Sequence, residues 1–331
     1  MLIAIDAAGG EYAPYEIVKG AIKAAQEYNV DIALVGRKTM LHVLASRYLK
    51  KPGITIIDAS QVIELHEPPI KAVRSKPDSS IVVGIKLIKD GAVSAFVSAG
   101  NTGAVVGAAL LKLDKIAGIE RPALASFLDI TPTTPTLLID AGVNVNCRPS
   151  YLVQFAQLGT TYVKQIHGIS SPRVGLLSNG EEETKGNRLI KESHKLLKKA
   201  NLNFIGNIEG QDISKGIVDI IVTDGFTGNI VLKALEGLGD TFQNSLRQIG
   251  HVFASAYRLP IRALHRDIGM DSWAKRVDYR EYGGACLLGV NGNIIIAHGR
   301  SQSKAIKNAI GLAKLTVERG ISSIIREESH K

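Results

Sequence analysis

The chain has 331 residues, 45% of them hydrophobic and 21% charged, with 40 Lys and Arg against 31 Asp and Glu for a formal charge of +9. This composition excludes disordered, collagenous and low-complexity chains, and the length suits one large domain or two lobes. Cys147 and Cys286 stand far apart with no CxxC pair, and no histidine has metal-ligand spacing, so no disulfide scaffold and no metal is expected.

The first apolar run, Leu2–Asp6, reads as a strand. It lacks the basic start and long apolar stretch of a signal peptide, which points to a cytosolic chain. The loop after it, Asp6-Ala7-Ala8-Gly9-Gly10-Glu11, lacks the spacing of a dinucleotide fingerprint, and no phosphate-binding P-loop occurs anywhere in the chain. No cofactor is expected. Gly9 and Gly10 nonetheless allow a ligand close to the backbone, so Asp6, Gly9 and Gly10 are candidate substrate contacts beside the plainer reading of a tight turn.

Strands are predicted next at Asp31–Val35 and Ile54–Asp58. Residues 67–80 then place Arg74 and Lys76 before Ser79 and Ser80 at the start of an apolar-periodic helix. Two cations beside a Ser-rich helix start can hold a phosphate, including that of a phosphopantetheine arm, although the local sequence by itself favours a solvated loop with an N-cap.

Residues 91–111 carry no charge and are long enough to span a bilayer, but their middle is a polar turn, Ser98-Ala99-Gly100-Asn101-Thr102-Gly103. A strand at Ala95–Ser98, a loop and a helix explain them better. Gly100, Asn101, Thr102 and Gly103 are candidate phosphate ligands, because unpaired N–H groups at a helix start bind anions.

Further strands are predicted at Thr136–Asp140, Arg173–Leu177, Asn203–Ile205 and Asp219–Thr223. The first ends in Asp140-Ala141-Gly142-Val143-Asn144, and the second leads to Glu181-Glu182-Glu183-Thr184-Lys185-Gly186. Asn144 and Lys185 are candidates for a carbonyl oxygen, Lys185 because a cation there stabilises a developing oxyanion. The three acids read equally as a favourable first helical turn. The strand at Asp219–Thr223 leads to Gly225-Phe226-Thr227-Gly228-Asn229, whose Gly225, Thr227, Gly228 and Asn229 repeat the phosphate-loop chemistry. The segments Val97–Leu110 and Val222–Leu235 match at seven of fourteen positions, by duplication or by shared turn chemistry.

Residues 240–276 break the strand–helix rhythm. Phe242, Leu246, Ile249, Phe253 and Tyr257 follow helical spacing up to Pro260, and Ile261, Leu264 and Ile268 continue the apolar stripe beside Arg258, Arg262 and Arg266. This reads as an inserted helical hairpin, either a dimer seam or core-packing arm or a basic surface for membrane or partner, with Phe253, Tyr257, Leu259, Ile261 and Leu264 as its candidate contacts. A last strand, Asn293–Ala297, ends at His298, a candidate proton donor.

Strands alternating with helices predict an α/β fold, a Rossmann-like mostly parallel sheet, with residues 1–239 and 277–331 forming the core around the hairpin. The ligand loops are expected beyond the carboxyl ends of the strands, along one sheet edge. No arginine-rich block or aromatic interleaving supports nucleic-acid binding. A hydrolase triad and a zinc protease have no motif, and Cys147 reads as a packing residue before a nucleophile.

Taken together, Ile5-Asp6-Ala7-Ala8-Gly9-Gly10-Glu11-Tyr12-Ala13-Pro14, Ser98-Ala99-Gly100-Asn101-Thr102-Gly103-Ala104, Gly175-Leu176-Leu177 with Glu182-Glu183-Thr184-Lys185-Gly186, Thr223-Asp224-Gly225-Phe226-Thr227-Gly228-Asn229 and Tyr282-Gly283-Gly284-Ala285 resemble the bacterial PlsX family of acyl-carrier-protein:phosphate acyltransferases. The chain departs mildly from the family pattern, with Ala8 and Glu11 flanking Gly9-Gly10 where Met and Asp are usual, and Cys286 in place of proline. The resemblance implies transfer of a long acyl chain from acyl-carrier protein to inorganic phosphate, giving acyl-phosphate for a membrane glycerol-3-phosphate acyltransferase. It also implies a homodimer, a core related to the isocitrate dehydrogenase and phosphotransacetylase architectures, and a cytoplasmic protein held peripherally at the membrane. A phosphotransacetylase-like short acyl-CoA enzyme and a non-catalytic membrane-associated scaffold remain the alternatives.

Overall fold

The structure, a computed structural model, describes residues 1–46, 53–128, 135–239, 241 and 283–329. The predicted hairpin with Phe253, Tyr257, Leu259, Ile261 and Leu264 lies outside the described residues, as does Tyr282.

Among the described residues, eleven strands form one sheet in the order β3-β2-β1-β4-β11-β10-β5-β6-β9-β7-β8. They are β1 (Leu2–Asp6), β2 (Asp31–Gly36), β3 (Ile54–Asp58), β4 (Ala95–Ser98), β5 (Ala123–Leu128), β6 (Thr136–Ile139), β7 (Val174–Leu177), β8 (Phe204–Ile208), β9 (Ile220–Val222), β10 (Ala285–Leu288) and β11 (Ile294–Ile296). The predicted strands are all present, β8 displaced towards its carboxyl end; β5 and β10 are additional.

The helices of the described residues are α1 (Tyr15–Tyr28), α2 (Lys38–Ala45), α3 (Pro69–Ser75), α4 (Ser80–Lys89), α5 (Thr102–Lys112), α6 (Pro149–His167), α7 (Arg188–Leu197), α8 (225–239), α9 (Ser303–Glu318) and α10 (Ile321–Ser329). Helix α3 occupies part of the stretch that the sequence reads as a loop. Local chemistry sets the helix ends: Ser79 and Asn187 accept from Val82 and Ile190 N–H as N-caps of α4 and α7, and Gly168 closes α6 at a φ of 70°. The charge-free 91–111 stretch becomes loop, β4 and α5, and no helix of the described residues is long and apolar enough to cross a membrane.

Both faces of the sheet are buried, so its strands are apolar on alternate and on successive positions. Helices α1 and α9 pack together against one face, close enough that a Cβ on Gly20 would lie 2.7 Å from Ile306 Cβ. Helices α3, α4 and α5 cover the other face, where Gly84 of α4 sits directly on the Phe96 ring.

Strand direction corrects one expectation. Strands β1, β2, β3, β4 and β11 run parallel, and so do β6, β7, β8 and β9. Between these blocks β10 is antiparallel to β11 and to β5, and β5 is antiparallel to β6. The blocks therefore point in opposite directions, and the loops after β4 and β9 leave from opposed edges rather than one. The helices that follow them, α5 and α8, border one cavity over the face of β5 and β10.

Candidate active site

Over that face lies a cavity of about 760 Å³. Its floor is Leu124, Ser126 and Leu128 of β5 with Ala285 of β10 and Ile296 of β11. One wall is the start of α5, Gly100 to Gly103; the opposite wall is α8, with Asn229, Leu232, Leu235 and Glu236. Gly142, His298 and Gly299 are also part of the lining. Of the sequence-predicted residues, this brings together Gly100, Asn101, Thr102, Gly103, Asn229 and His298.

At α5 the N-cap is Asn101, whose Oδ1 accepts from Ala104 N–H at 3.0 Å and whose Nδ2 donates to the carbonyls of Leu65 and Glu67, each at 3.1 Å. Asn101 thus ties the 64–67 loop to the helix start. The N–H groups of Thr102 and Gly103 have no acceptor among the described residues and stand at the positive end of the helix dipole. Gly103 is required there, since a Cβ would lie 2.6 Å from Pro69 Cγ.

The second G-x-T-G turn shares the letters but not the capping. Asp224 caps α8, taking the N–H groups of Phe226 and Thr227 at 3.0 Å each and the Thr227 hydroxyl at 2.8 Å. A carboxylate already holds the anion position at that helix start, so Thr227 has an internal partner. Gly225 and Gly228 press against Asn144 and the Asp140 carbonyl, which joins the turn to the 140–144 loop.

That loop is organised by a buried carboxyl group. Asp140 accepts from the N–H groups of Leu124, Gly142 and Val143 through Oδ1, and from Asn144 N–H and Nδ2 through Oδ2. Burial pushes its pKa up against the lowering effect of these bonds. Asn144 also donates Nδ2 to the Pro122 carbonyl at 2.8 Å, so both amide hydrogens have internal acceptors.

Asp6 plays the matching part in the other block. It is fully buried at the end of β1 and accepts from Ser98 Oγ at 2.6 Å, Ala8 N–H at 3.2 Å and Ser80. Burial again dominates and raises its pKa. Gly9 and Gly100 leave room for this carboxyl group, and Gly10 packs on Ala99 and Gly299. Asp6, Gly9, Gly10 and Ser80 therefore support the 98–103 loop from behind.

Lys76 pairs with Glu67 and donates to the Val62 carbonyl at 2.7 Å, Ser79 is a buried N-cap, and Arg74 is exposed. Lys185 is exposed in a turn whose N–H bonds the Glu182 carbonyl at 2.9 Å. None of these four residues lines the cavity. His298 Nδ1 accepts from Arg300 N–H at 3.1 Å, and its Nε2 lies 3.5 Å from Glu236 Oε2.

The family model described as fatty acid synthesis protein matches residues 1–324. The chain belongs to this family. It is 56% identical over 328 residues to a phosphate acyltransferase of Dehalococcoides mccartyi, covering 99% of this chain and 94% of that one. It is 48% identical over 326 residues to a phosphate acyltransferase of Pelotomaculum thermopropionicum, covering 98% and 94%. In fold it is similar to a phosphotransacetylase from Streptococcus pyogenes, with a TM-score of 0.61 at 16% identity over 96% of this chain and 94% of that one.

For a member of this family the apolar part of the cavity is the part that residue types alone did not reveal. Leu124, Leu128, Leu232 and Leu235 sit in ordinary core-like runs, and only the packing of α8 over β5 makes them a lining. Glu236 and Lys233 of α8 also line it. Their helical spacing from Asn229, one turn on for Lys233 and two for Glu236, was the available signal. Cys147 is half-buried with Sγ donating to the Asn144 carbonyl at 3.3 Å, and burial pushes its thiol up to about 12. It is no thiolate near neutral pH.

Proposed function

We propose that this phosphate acyltransferase moves a long acyl chain from the thioester of acyl-carrier protein to inorganic phosphate by direct attack, without an acyl-enzyme. The observation that carries the reading is one cavity with helix-start N–H groups at one wall and an apolar stretch of Leu124, Leu128, Leu232 and Leu235 beside it. The first suits phosphate, the second an acyl chain.

Phosphate is anionic near neutral pH and needs no base to attack. Its obstacles are hydration and alignment, which fixed N–H donors overcome by replacing water and holding one oxygen towards the carbonyl carbon. In this reading Thr102 and Gly103 N–H hold the phosphate, with Asn229 facing them across the cavity. The phosphate oxygen bonds to the acyl carbon, the C–S bond breaks, and the thiolate of the carrier takes a proton. His298 is the proposed source, its Nε2 held towards Glu236. Lys185 is the proposed carbonyl-oxygen partner, reaching from its exposed turn, while Asn144, with both amide hydrogens committed to Asp140 and Pro122, serves the site through the loop it clamps. Arg74, exposed on α3, is the proposed partner of the carrier's phosphopantetheine phosphate, and Lys76, paired with Glu67, holds the loop around it.

The charge of +9 favours an acidic protein as donor. A homodimer, peripheral attachment to the membrane and delivery of acyl-phosphate to a membrane glycerol-3-phosphate acyltransferase complete the proposal.

The test is release of carrier thiol from palmitoyl-carrier protein with and without phosphate, trapping acyl-phosphate with hydroxylamine. Phosphate-dependent release with a trapped product is expected. Reaction with acetyl-CoA alone would instead identify a short-acyl transferase, and no reaction with either donor would leave the scaffold.

A further inference from the structure

We infer that His194 and Asn207 are positioning residues of the transfer reaction, holding from beneath the turn that presents Lys185. This rests on the reading of Lys185 as a carbonyl-oxygen partner. Both residues are buried, at 4% and 8% exposure, whereas the 181–185 turn above them is exposed. Asn207 lies in β8 and donates Nδ2 to the Glu182 carbonyl at 3.0 Å. The same carbonyl accepts the N–H of Lys185 at 2.9 Å, so one atom closes the turn and fastens it to the sheet.

The amide orientation fixes the histidine. With Nδ2 committed to Glu182, the Oδ1 of Asn207 faces His194 Nδ1 at 2.9 Å, which must therefore carry a proton. His194 stands on α7, edge-on to Phe204 with ring centroids 5.1 Å apart, and its Nε2 lies 3.5 Å from Glu183 Oε1. Glu183 in turn pairs with Lys198. A buried polar pair is costly unless it is satisfied, and here its partners are the main chain and side chain of the one turn. An apolar pair would fill the space between α7 and β8 equally well but would leave that turn without an interior anchor.

A flexible lysine gains catalytic use when its backbone is fixed, because misplacement by about 1 Å can cost roughly a hundredfold in rate. Gly186, at a φ of 90°, and the Asn187 cap hold the far end of the turn, so Asn207 supplies the missing central fixture.

Asn207→Asp is the discriminating variant. It keeps an acceptor for His194 but removes the donor and sets a carboxylate oxygen against the Glu182 carbonyl. His194→Phe is the second variant, keeping the ring against Phe204 while removing the donor. Each is measured by amide hydrogen exchange over residues 182–186 and by steady-state kinetics, alone and combined with Lys185→Ala. Expected are faster exchange in that turn, a kcat lower by about tenfold or more with KM for phosphate and donor nearly unchanged, and a combined loss no greater than that of Lys185→Ala alone. Unchanged exchange, an intact kcat, or losses that multiply with Lys185→Ala would each overturn the inference. If Lys185→Ala alone leaves the rate intact while exchange rises in Asn207→Asp, the role of Lys185 has failed and the positioning role falls with it. Unchanged exchange beside a damaged Lys185→Ala overturns the positioning role alone.

Discussion

Asp140 receives Asn144 twice, from its main-chain N–H at 2.7 Å and from its side-chain Nδ2 at 2.8 Å. The pair closes the 140–144 loop on itself, and Gly225 and Gly228 dock the α8 turn against it. Removing the Asn144 amide leaves a buried carboxyl oxygen and the Pro122 carbonyl short of a donor. Asn144→Ala is expected to cost about 1–3 kcal/mol of stability, read as a lower midpoint of chemical denaturation. An unchanged midpoint would show that the loop closes without the clamp.

Thr102 occupies the first helical position of α5, where the N–H has no intrahelical acceptor and proline is well tolerated. Asn101 before it is already extended, at φ −63° and ψ 108°, as a residue preceding proline requires. Thr102→Pro therefore deletes one proposed phosphate donor at little cost to the helix. KM for phosphate should rise about tenfold, the equivalent of roughly 1.4 kcal/mol, with the melting temperature nearly unchanged. A normal KM would move the phosphate elsewhere.

Asp6 is a carboxyl group whose pKa burial raises above the ordinary value of 3.8. The folded state then binds more protons than the unfolded state between that value and the raised one, so stability from this group is full below 3.8 and is lost as pH rises through the folded value. Asp6→Asn removes this dependence. Denaturation midpoints followed upward from pH 4 should fall for the wild type relative to Asp6→Asn. Parallel profiles would mean that the Ser98, Ser80 and Ala8 bonds offset burial.

Leu232 faces the cavity from α8, opposite the β5 floor. Leu232→Trp fills apolar volume without touching the start of α5. Transfer from a palmitoyl donor should fall by about tenfold or more relative to transfer from a short-acyl donor, since an occluded acyl site loses contacts in proportion to chain length. An equal loss with both donors would place the acyl chain outside this lining.

The strand–turn–helix units, the turns that end them and the family resemblance are legible in the chain of residue types. Alternating β-branched runs, the helix start at Ser79 and the Gly100–Gly103 turn are local features, and local sterics and hydrogen bonding decide them. Strands β5, Ala-Leu-Ala-Ser-Phe-Leu, and β10, Ala-Cys-Leu-Leu, escaped because short Ala- and Leu-rich runs suit helix as readily as strand. Those two strands reverse the sheet, and through that reversal tertiary structure alone decided that loops from opposed edges share one cavity. It also decided which polar residues have internal partners: Asn144 and Lys76 read as ligand groups in sequence, and burial beside Asp140 and pairing with Glu67 turned them into clamps. A residue type states what bonds a side chain can make, but the donors and acceptors that compete for it come from distant segments, and only packing brings those within reach.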